Sequence, residues 1–405
     1  MNTYIRSLAN KNVKYVNKHA ILDLVRFAPG GISRVELAQQ LGLTRAAVTS
    51  IVDDLIQSGL VHETRSRTST SGRPPILLEI DASRGYVAGL DFGATHLNVL
   101  IANFGAQVIA DKEIYLDIAQ GPQACLEQAH QLLDSVLAGA GLSFSNLSAI
   151  GVGVPGPIVT EAGMVIAPPI MPGWDQYPIR STLENRWHCP ISLNNDAELG
   201  ALGEWAYGAD RGVNNLAYIK IGTGVGAGLL IEGQIYRGAS GSAGEIGHIT
   251  IEEEGPLCNC GNRGCLETLT GGHAIARIAQ EAVNNGASTS LKNVQTVEGI
   301  SAVHVTEAAR QGDLVAQQIL VTAGNYLGIA IAGLVNLFNP SVVIVGGGVA
   351  QVGDLFLEPV RKAVLRRSLP AAAQAVRITT AMLGRRSSGM GAIVEAISTI
   401  THRMA

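Results

Sequence analysis

The spacing of apolar residues near the N-terminus predicts three short helices. The first runs from Asn17 and is ended by Pro29 and the two glycines that follow it. Ser33 and Glu36 have the spacing of a capping box, which starts the second helix. Thr44 then caps a third helix. Its apolar residues recur at the spacing of one buried helical face: Val48, Ile51, Val52, Leu55 and Ile56.

The segment after these helices predicts a two-stranded wing. Residues 60–80 alternate apolar and polar side chains around a basic stretch. A helix with small or hydrogen-bonding side chains suits the major groove of DNA, and an arginine at the tip of a wing suits the minor groove. The predicted DNA-contacting residues are Arg34, Thr44, Arg45, Ala46, Thr49, Ser50, Arg65, Arg67 and Arg73. The same pattern leaves open a three-helix protein-interaction module with a solvated basic loop.

Beyond residue 82 the pattern changes to buried strands that run into glycine-rich loops. An acidic residue followed by a glycine turn between two strands allows a backbone hairpin to approach a phosphate and its metal. The three loops contain, in chain order, Asp91, Gly93 and Thr95, then Gly222, Thr223 and Gly224, then Gly346 and Gly347. This repetition predicts an α/β fold with two similar lobes facing a cleft. The predicted domains are a DNA-binding domain at 1–82, a first lobe at 83–200 and a second lobe at 201–405, with the C-terminal helix able to return to the first lobe.

Composition and charge agree with a DNA-binding module joined to a globular body. Of the 405 residues, 47% are hydrophobic and only 15% are charged, which favours well-buried domains over disorder. Residues 1–80 contain ten basic and six acidic side chains, whereas the remainder contains 19 basic and 27 acidic ones. A basic segment before an acidic body is typical of a nucleic-acid module fused to a sensor or an enzyme. The sequence has no uninterrupted apolar run of about 18 residues and no signal-peptide pattern, so we expect a cytoplasmic protein without membrane insertion.

One histidine and three cysteines predict a structural metal site. They are His248, Cys258, Cys260 and Cys265. Three thiolates and a neutral imidazole complete a closed tetrahedral shell for Zn²⁺, which leaves no open position for catalysis. The chain has five cysteines, an odd number without paired spacing, which argues against an extracellular disulfide framework. The alternative is a cluster of reduced thiols without a metal.

These motifs together resemble the ROK family of repressors, open reading frames and kinases. The most specific element is the run Cys258-x-Cys260-Gly-x-x-Gly-Cys265-x-Glu267, and the glycine loops follow the order found in that family. The N-terminal segment resembles the winged helix of ROK repressors. The resemblance covers nearly the whole chain and implies a winged helix-turn-helix followed by the two-lobed, actin-like fold of sugar kinases.

The resemblance also implies roles for individual residues. Asp196 matches the catalytic base of the family's kinases, which takes a proton from the sugar hydroxyl. The sugar-binding positions are Asn195, Asp196, Glu245, His248 and Glu267. The metal ligands of the family map onto the His248 and cysteine cluster, with Zn²⁺ as a structural ion. The residues of the three glycine loops match nucleotide contacts, and ATP with Mg²⁺ is implied only if kinase activity is retained.

Two positions depart from the family pattern. Ala94 stands where family kinases usually have a second glycine, and its β-carbon lies where a phosphate would approach closely. Ile170 stands where many relatives have asparagine, which removes one sugar hydrogen bond. The first departure weakens the expectation of nucleotide binding, and the second changes which sugar fits or how tightly it binds.

The leading hypothesis from the sequence is a sugar-responsive repressor of carbohydrate uptake or catabolism genes. It would bind an inverted-repeat operator as a dimer or tetramer, and a sugar or sugar phosphate would modulate that binding. The alternative is an ATP-dependent, hexose-type sugar kinase, or a repressor that retains kinase activity. A third hypothesis is a DNA-binding protein whose metal loop senses zinc or oxidants.

Overall fold

A computed structural model describes residues 13–28, 30–65, 75–208 and 211–404 of the chain, and within these ranges it describes side chains from residue 17 to residue 401. The chain forms a small N-terminal head and a body with two mixed sheets. The fold class expected from the sequence, a winged helix before a two-lobed α/β body, is confirmed.

The head has the predicted three helices and a wing. The elements are α1 (Val13–Phe27), α2 (Arg34–Leu41), α3 (Arg45–Gln57), β1 (Val61–Arg65) and β2 (Ile76–Ile80). The Ser33 side chain accepts a hydrogen bond from the Glu36 backbone, and the Glu36 carboxylate accepts one from the Ser33 backbone, which completes the capping box. The Thr44 hydroxyl caps α3 by accepting from the Ala47 backbone. Strands β1 and β2 pair in antiparallel register.

The two sheets of the body have the same strand order. The first contains β3 (Tyr86–Phe92), β4 (His96–Asn103), β5 (Val108–Tyr115), β6 (Leu147–Val154) and β9 (Ile191–Asn195); the second contains β10 (Leu216–Ile221), β11 (Val225–Ile231), β12 (Gln234–Ile235), β13 (Val342–Gly346) and β14 (Arg377–Thr380). In each sheet the first three strands form an antiparallel meander. The fourth strand pairs with the first, and the fifth pairs with the fourth, both in parallel. The repeated strand–glycine loop–strand pattern therefore reflects two lobes with the same sheet topology. The short strands β7 (Ile158–Val159) and β8 (Met164–Val165) form a separate hairpin.

Helices cover both sheets. They are α4 (Pro122–Gly139), α5 (Ile179–Trp187), α6 (Asp196–Tyr207), α7 (Glu267–Thr270), α8 (Gly272–Asn284), α9 (Ala302–Arg310), α10 (Leu314–Phe338), α11 (Asp354–Arg367), α12 (Pro370–Ala375) and α13 (Ser387–Met404). In the part of the chain that the structure describes, α10 is the one helix long and apolar enough to cross a membrane. Its inner face, however, packs into the core of the second lobe, and 56% of its apolar window is buried.

Helices α6 and α13 cross with their backbones in contact. A β-carbon added at Gly391 of α13 would lie 1.8 Å from the Leu199 carbonyl oxygen of α6, and one at Gly203 of α6 would lie 2.1 Å from the Ser387 carbonyl oxygen. On its other side α13 meets the first sheet, where a β-carbon at Gly151 would lie 2.0 Å from the Ala392 carbonyl oxygen. Glycine is needed at these positions because any side chain would push α13 away from α6 or from the first sheet.

The head shares its hydrophobic core with the body. Ile21 and Leu22 of α1 belong to the same buried cluster as Leu100 of the first sheet and as Met390 and Ile393 of α13. The head is therefore packed against the first lobe and α13. The domain boundaries at residues 82 and 200 remain predictions.

The crossing of α6 and α13 predicts opposite effects for two glycine substitutions. Gly391→Ala is expected to lower the free energy of unfolding by about 1–3 kcal/mol, because the added methyl group overlaps α6. Gly333→Ala is the matched control, because Gly333 lies in α10 with open space around its β-position. Helix propensity there should raise the free energy of unfolding by up to about 1 kcal/mol. Thermal unfolding midpoints that rise for both variants would show that the crossing is not close-packed.

Candidate functional site

A cleft of about 1120 Å³ lies between the two lobes. Both sheets direct the carboxyl ends of their parallel strands toward it, because β3, β6 and β9 run parallel in the first sheet and β10 and β13 in the second. Asp91 is near the end of β3, Asn195 ends β9 and Lys220 is near the end of β10. The carboxyl edge of an open α/β sheet is where such folds bind ligands.

The predicted acidic residues of the cleft meet a lysine that sequence reasoning missed. The Lys220 ammonium donates to Asp196 Oδ2 at 2.8 Å and to Asp91 Oδ1 at 3.3 Å. Burial alone would lower the pKa of Lys220, but Asp196 and Asp91 hold that pKa above its ordinary value. Burial would likewise raise the pKa of Asp91, but Lys220 and His96 keep it below the ordinary value. Lys220 and Asp91 are therefore both charged at neutral pH.

The turn between β3 and β4 is covered by the side chain of His96, the first residue of β4. A β-carbon added at Gly93 would lie only 2.0 Å from Cε1 of His96, so the imidazole ring rests directly on the turn. His96 Nε2 also lies 3.6 Å from Asp91 Oδ2. The ring therefore covers the Gly93 turn, and Ala94 lines the cleft beside it.

The other predicted nucleotide contacts divide into two groups. Thr95, Gly222, Thr223, Gly224 and Gly347 line the cleft with Asp91 and Gly93. Gly346 is instead packed against the Tyr218 ring, where an added β-carbon would lie 2.2 Å from the hydroxyl oxygen. The cleft residues do not fit ATP with Mg²⁺, because His96 covers the first hairpin and Lys220 bridges its aspartate, Asp91, to Asp196.

The five predicted sugar-binding residues all line the cleft. Asn195 is partly committed to structure, since its Oδ1 accepts from the backbone of Ala197 at 2.8 Å and of Glu198 at 3.2 Å, and its Nδ2 donates to the Gly156 carbonyl at 3.0 Å. One Nδ2 hydrogen is left for a ligand. Burial raises the pKa of Glu245 above its ordinary value. Ile170 also lines the cleft, where it adds an apolar contact in place of an amide.

Glu198 is a further acidic residue of the cleft that the sequence did not single out. It follows Asn195 in the first turn of α6, and its Oε2 lies 3.3 Å from Arg237 Nε. Burial raises the pKa of this carboxyl group to about 7, although Arg237 acts in the opposite direction. Arg237 also donates to Asn194 Oδ1 at 2.8 Å, which ties the loop after β12 to the end of β9.

The four predicted metal ligands form one cluster. The ligand atoms of His248, Cys258, Cys260 and Cys265 all lie within 4.8 Å of one another. Cys260 Sγ is 3.7 Å from Cys265 Sγ, and Cys258 Sγ is 3.6 Å from His248 Nδ1. A tetrahedron with metal–sulfur bonds of about 2.3 Å has edges close to these separations, so the donor set fits a zinc ion.

The metal cluster adjoins the predicted sugar ligands. Glu267 Oε1 accepts from the Cys258 thiol at 3.2 Å, and His248 Nε2 lies 3.9 Å from Glu245 Oε2. The two nitrogens of His248 therefore face different partners: Nδ1 faces the thiols and Nε2 faces the cleft. One imidazole ring can bind a metal on one side and a ligand on the other.

The predicted DNA-contacting surface of the head is exposed where the structure describes it. Thr44, Arg45, Ala46, Thr49 and Ser50 are exposed along the N-terminal half of α3, and Arg65 is exposed at the end of β1. Arg67 and Arg73 lie outside the described residues.

Arg34 has partners within the head. It pairs with Asp53 of α3 at 3.0 Å and with Glu63 of β1, so it holds α2 against both elements. A contact between Arg34 and DNA would require it to share or release these carboxylates.

Comparison with known proteins extends over both parts of the chain. The model of the ROK family matches residues 87–398, and that of the MarR family matches residues 14–70. A putative xylose repressor from a Caldicellulosiruptor species is 33% identical over 386 residues, which cover 95% of this chain and 96% of that protein.

Two solved structures resemble the chain to different extents. A ROK family transcriptional regulator, described as a homologue of the Escherichia coli Mlc protein, matches with a TM-score of 0.80 and 27% identity and covers 97% of this chain and 98% of its own. A ROK family glucokinase from Streptomyces griseus, in complex with glucose and AMPPNP, matches with a TM-score of 0.70 and 31% identity. That match covers 78% of this chain and all of the glucokinase.

The geometry of the cluster predicts one tightly bound zinc ion per chain. Elemental analysis of the purified protein measures this content directly. Cys265→Ala should lose the ion, because it removes one of four ligands. Cys189→Ala is the matched control, since Cys189 is also buried but lies away from the cluster. An unchanged zinc content in Cys265→Ala, or a wild-type protein purified without metal, would contradict the assignment.

Proposed function

Because the chain belongs to the ROK family, we propose that it is a sugar-responsive transcriptional repressor of carbohydrate uptake or catabolism genes. The observation that carries this proposal is the continuous connection between the cleft and the winged helix, through α6 and α13. The relatives named as repressors or regulators span both the head and the body of the chain. The glucokinase structure corresponds only to part of the chain and has no counterpart for 22% of it.

The cleft supplies the chemistry that a sugar requires. Glu245 and Glu267 each offer carboxylate oxygens that accept hydroxyl hydrogen bonds, and Asp196 and the free Nδ2 hydrogen of Asn195 add further polar contacts. His248 presents Nε2 to the same space. His248, Cys258, Cys260 and Cys265 would hold Zn²⁺ as a structural ion, which would fix the loop on which these ligands lie.

Helix α6 connects the cleft to the head. It begins at Asp196, where Asn195 caps it, and it ends at Tyr207. The Trp205 ring lies 4.7 Å from the Phe27 ring at the end of α1, and the Tyr207 ring lies 6.3 Å from it. A movement of Asp196 when a sugar binds is therefore transmitted along three turns of helix to an aromatic contact with the DNA-binding domain.

Helix α13 provides a second connection between the cleft and the head. Ser388 in its first turn donates to the Asp196 carbonyl at 2.8 Å, near the cleft. Farther along the helix, Arg26 of α1 donates to the Val394 carbonyl at 2.7 Å and to the Ser398 hydroxyl at 3.0 Å. The Arg26 side chain is buried, so this joint between head and body is shielded from solvent.

The response to sugar is a change in the equilibrium between two arrangements of the head. A sugar alters DNA binding only if it binds the two arrangements with different affinity. We propose that the protein binds an inverted-repeat operator as a dimer or tetramer, and that closure of the cleft on a sugar changes the spacing of the paired heads. The operator is then released.

The same cleft is a poor phosphotransfer site, which favours regulation over sugar kinase activity. The predicted base Asp196 already accepts a hydrogen bond from Lys220 at 2.8 Å. His96 covers the Gly93 turn, and Ala94 puts a methyl group into the same hairpin.

The central test is the effect of sugars on operator binding. Xylose and glucose are the first sugars to test, because the relatives are named for xylose repression and the glucokinase structure holds glucose. At fixed salt, the effective sugar should weaken the operator complex by about 5- to 150-fold in a fluorescence anisotropy titration. No change in affinity with these sugars or with a wider panel of pentoses, hexoses and amino sugars would contradict the proposal.

From the contact between α6 and α1 we predict that a substitution there weakens the effect of sugar on operator binding, while the sugar site and the DNA-binding surface stay intact. Phe27→Ala removes the ring that meets Trp205 and should reduce the effect of sugar on operator affinity by about 2- to 30-fold. Sugar affinity without DNA should stay near the wild-type value. Phe144→Ala is the matched control, because Phe144 stacks on His130 in the first lobe, away from the head. An equal loss of response in both variants would show that the joint has no special role.

A further inference from the structure

We propose that Lys220 is a built-in cation that takes the place of a divalent metal ion between Asp91 and Asp196. The cleft then binds a sugar without a metal–nucleotide complex, and Lys220 is the residue that determines this specificity. The inference rests on the proposed sugar-binding function of the cleft.

The geometry places one ammonium group where two carboxylates converge. Lys220 Nζ is 2.8 Å from Asp196 Oδ2, 3.3 Å from Asp91 Oδ1 and 3.5 Å from Asp91 Oδ2. It also donates to the Ser388 hydroxyl at 3.2 Å. An ammonium has three donors, and these contacts use all of them. The Lys220 side chain is 13% exposed, so it is held in this position by the surrounding protein.

The same arrangement excludes a divalent ion. Mg²⁺ requires oxygen ligands at about 2.0–2.1 Å in octahedral geometry and is usually held by one or two carboxylates and substrate phosphates. Asp91 and Asp196 would be those carboxylates, but an ion that reached both would lie beside the Lys220 ammonium and be repelled by it. The two negative charges are already partly neutralised, which removes most of the attraction for a second cation.

The Lys220 contacts also join the two lobes. Asp91 belongs to the first sheet and Lys220 to the second. Asp196 begins α6 and Ser388 lies in the first turn of α13, and these two helices lead to the head. A metal ion in a kinase cleft arrives and leaves with its nucleotide. A lysine remains in place, so the connection between the lobes and the two helices is permanent. The sugar is then the component that binds and dissociates.

His96 supports this interpretation from the first lobe. Its ring lies on Gly93 and within 3.6 Å of Asp91, so a second side chain of the protein fills the adjoining phosphate position. Two side chains of the chain itself, Lys220 and His96, thus occupy the space beside Asp91 and over the Gly93 hairpin.

The test is Mn²⁺ binding to the full-length, zinc-loaded protein. Binding is measured as the loss of the electron paramagnetic resonance signal of free Mn²⁺. Lys220→Gln keeps a hydrogen-bond donor for Asp196 but removes the charge, and it should bind one Mn²⁺ ion at least about tenfold more tightly than the wild type. Lys220→Arg is the matched control, because it keeps the charge and should not gain the site. Adding Asp91→Asn to Lys220→Gln should abolish the gained site.

Two results would overturn the inference. One is a wild-type protein that binds Mn²⁺ as tightly as Lys220→Gln, with the binding lost in Asp91→Asn. The other is a folded Lys220→Gln variant, with wild-type zinc content and circular dichroism, that gains no site. If Lys220→Gln fails to fold, Lys220→Ala with Asp196 intact gives the same comparison, because the shorter side chain leaves room for a hydrated ion. Operator release by sugar in the wild type is measured separately, so a failure of the proposed function is distinguishable from a failure of this inference.

Discussion

The close crossing of α6 and α13 is the constraint on which the rest of the structure depends. Gly203 and Gly391 allow the two backbones to touch, and Gly151 allows α13 to lie directly on the first sheet. Both helices begin at the cleft and both end at the head, so their contact turns two separate elements into one stiff connection. Packed interfaces of this kind shift between discrete arrangements rather than deforming gradually, which suits a switch.

The cleft converts a kinase-like architecture into a binding site through charge and local packing. His248 is a member of the metal cluster and Glu267 lies beside it, while Lys220 pairs with both Asp91 and Asp196. The cleft is lined by carboxylates, which suit the neutral, hydroxyl-rich ligand that we propose. Under the proposed function, the binding energy of such a ligand shifts α6 and α13 and does not drive a chemical step.

Local signals in the sequence predicted the parts whose structure depends on near neighbours. The capping residues Ser33 and Thr44 start their helices as expected, and the cysteine spacing places the three thiols together with His248. The repeated glycine loops predicted two similar lobes because each loop follows its own strand. Asn195 and Asp196 came from a family resemblance, and the structure places them at the end of β9 and the start of α6.

Contacts between distant residues were beyond the reach of such patterns. Lys220 is separated from Asp91 by 129 residues, and only its charge within an apolar strand hinted at a role. The position of His96 over Gly93 depends on a rotamer, the burial of Gly346 behind Tyr218 depends on the neighbouring strand, and the Phe27–Trp205 contact depends on how the head packs on the body.

The measurement that tests the account most directly is hydrogen exchange of the full-length protein with and without the sugar that releases operator DNA. The account predicts altered protection in α6, in the C-terminal half of α13 and in α1, whereas changes confined to the residues of the cleft would contradict it.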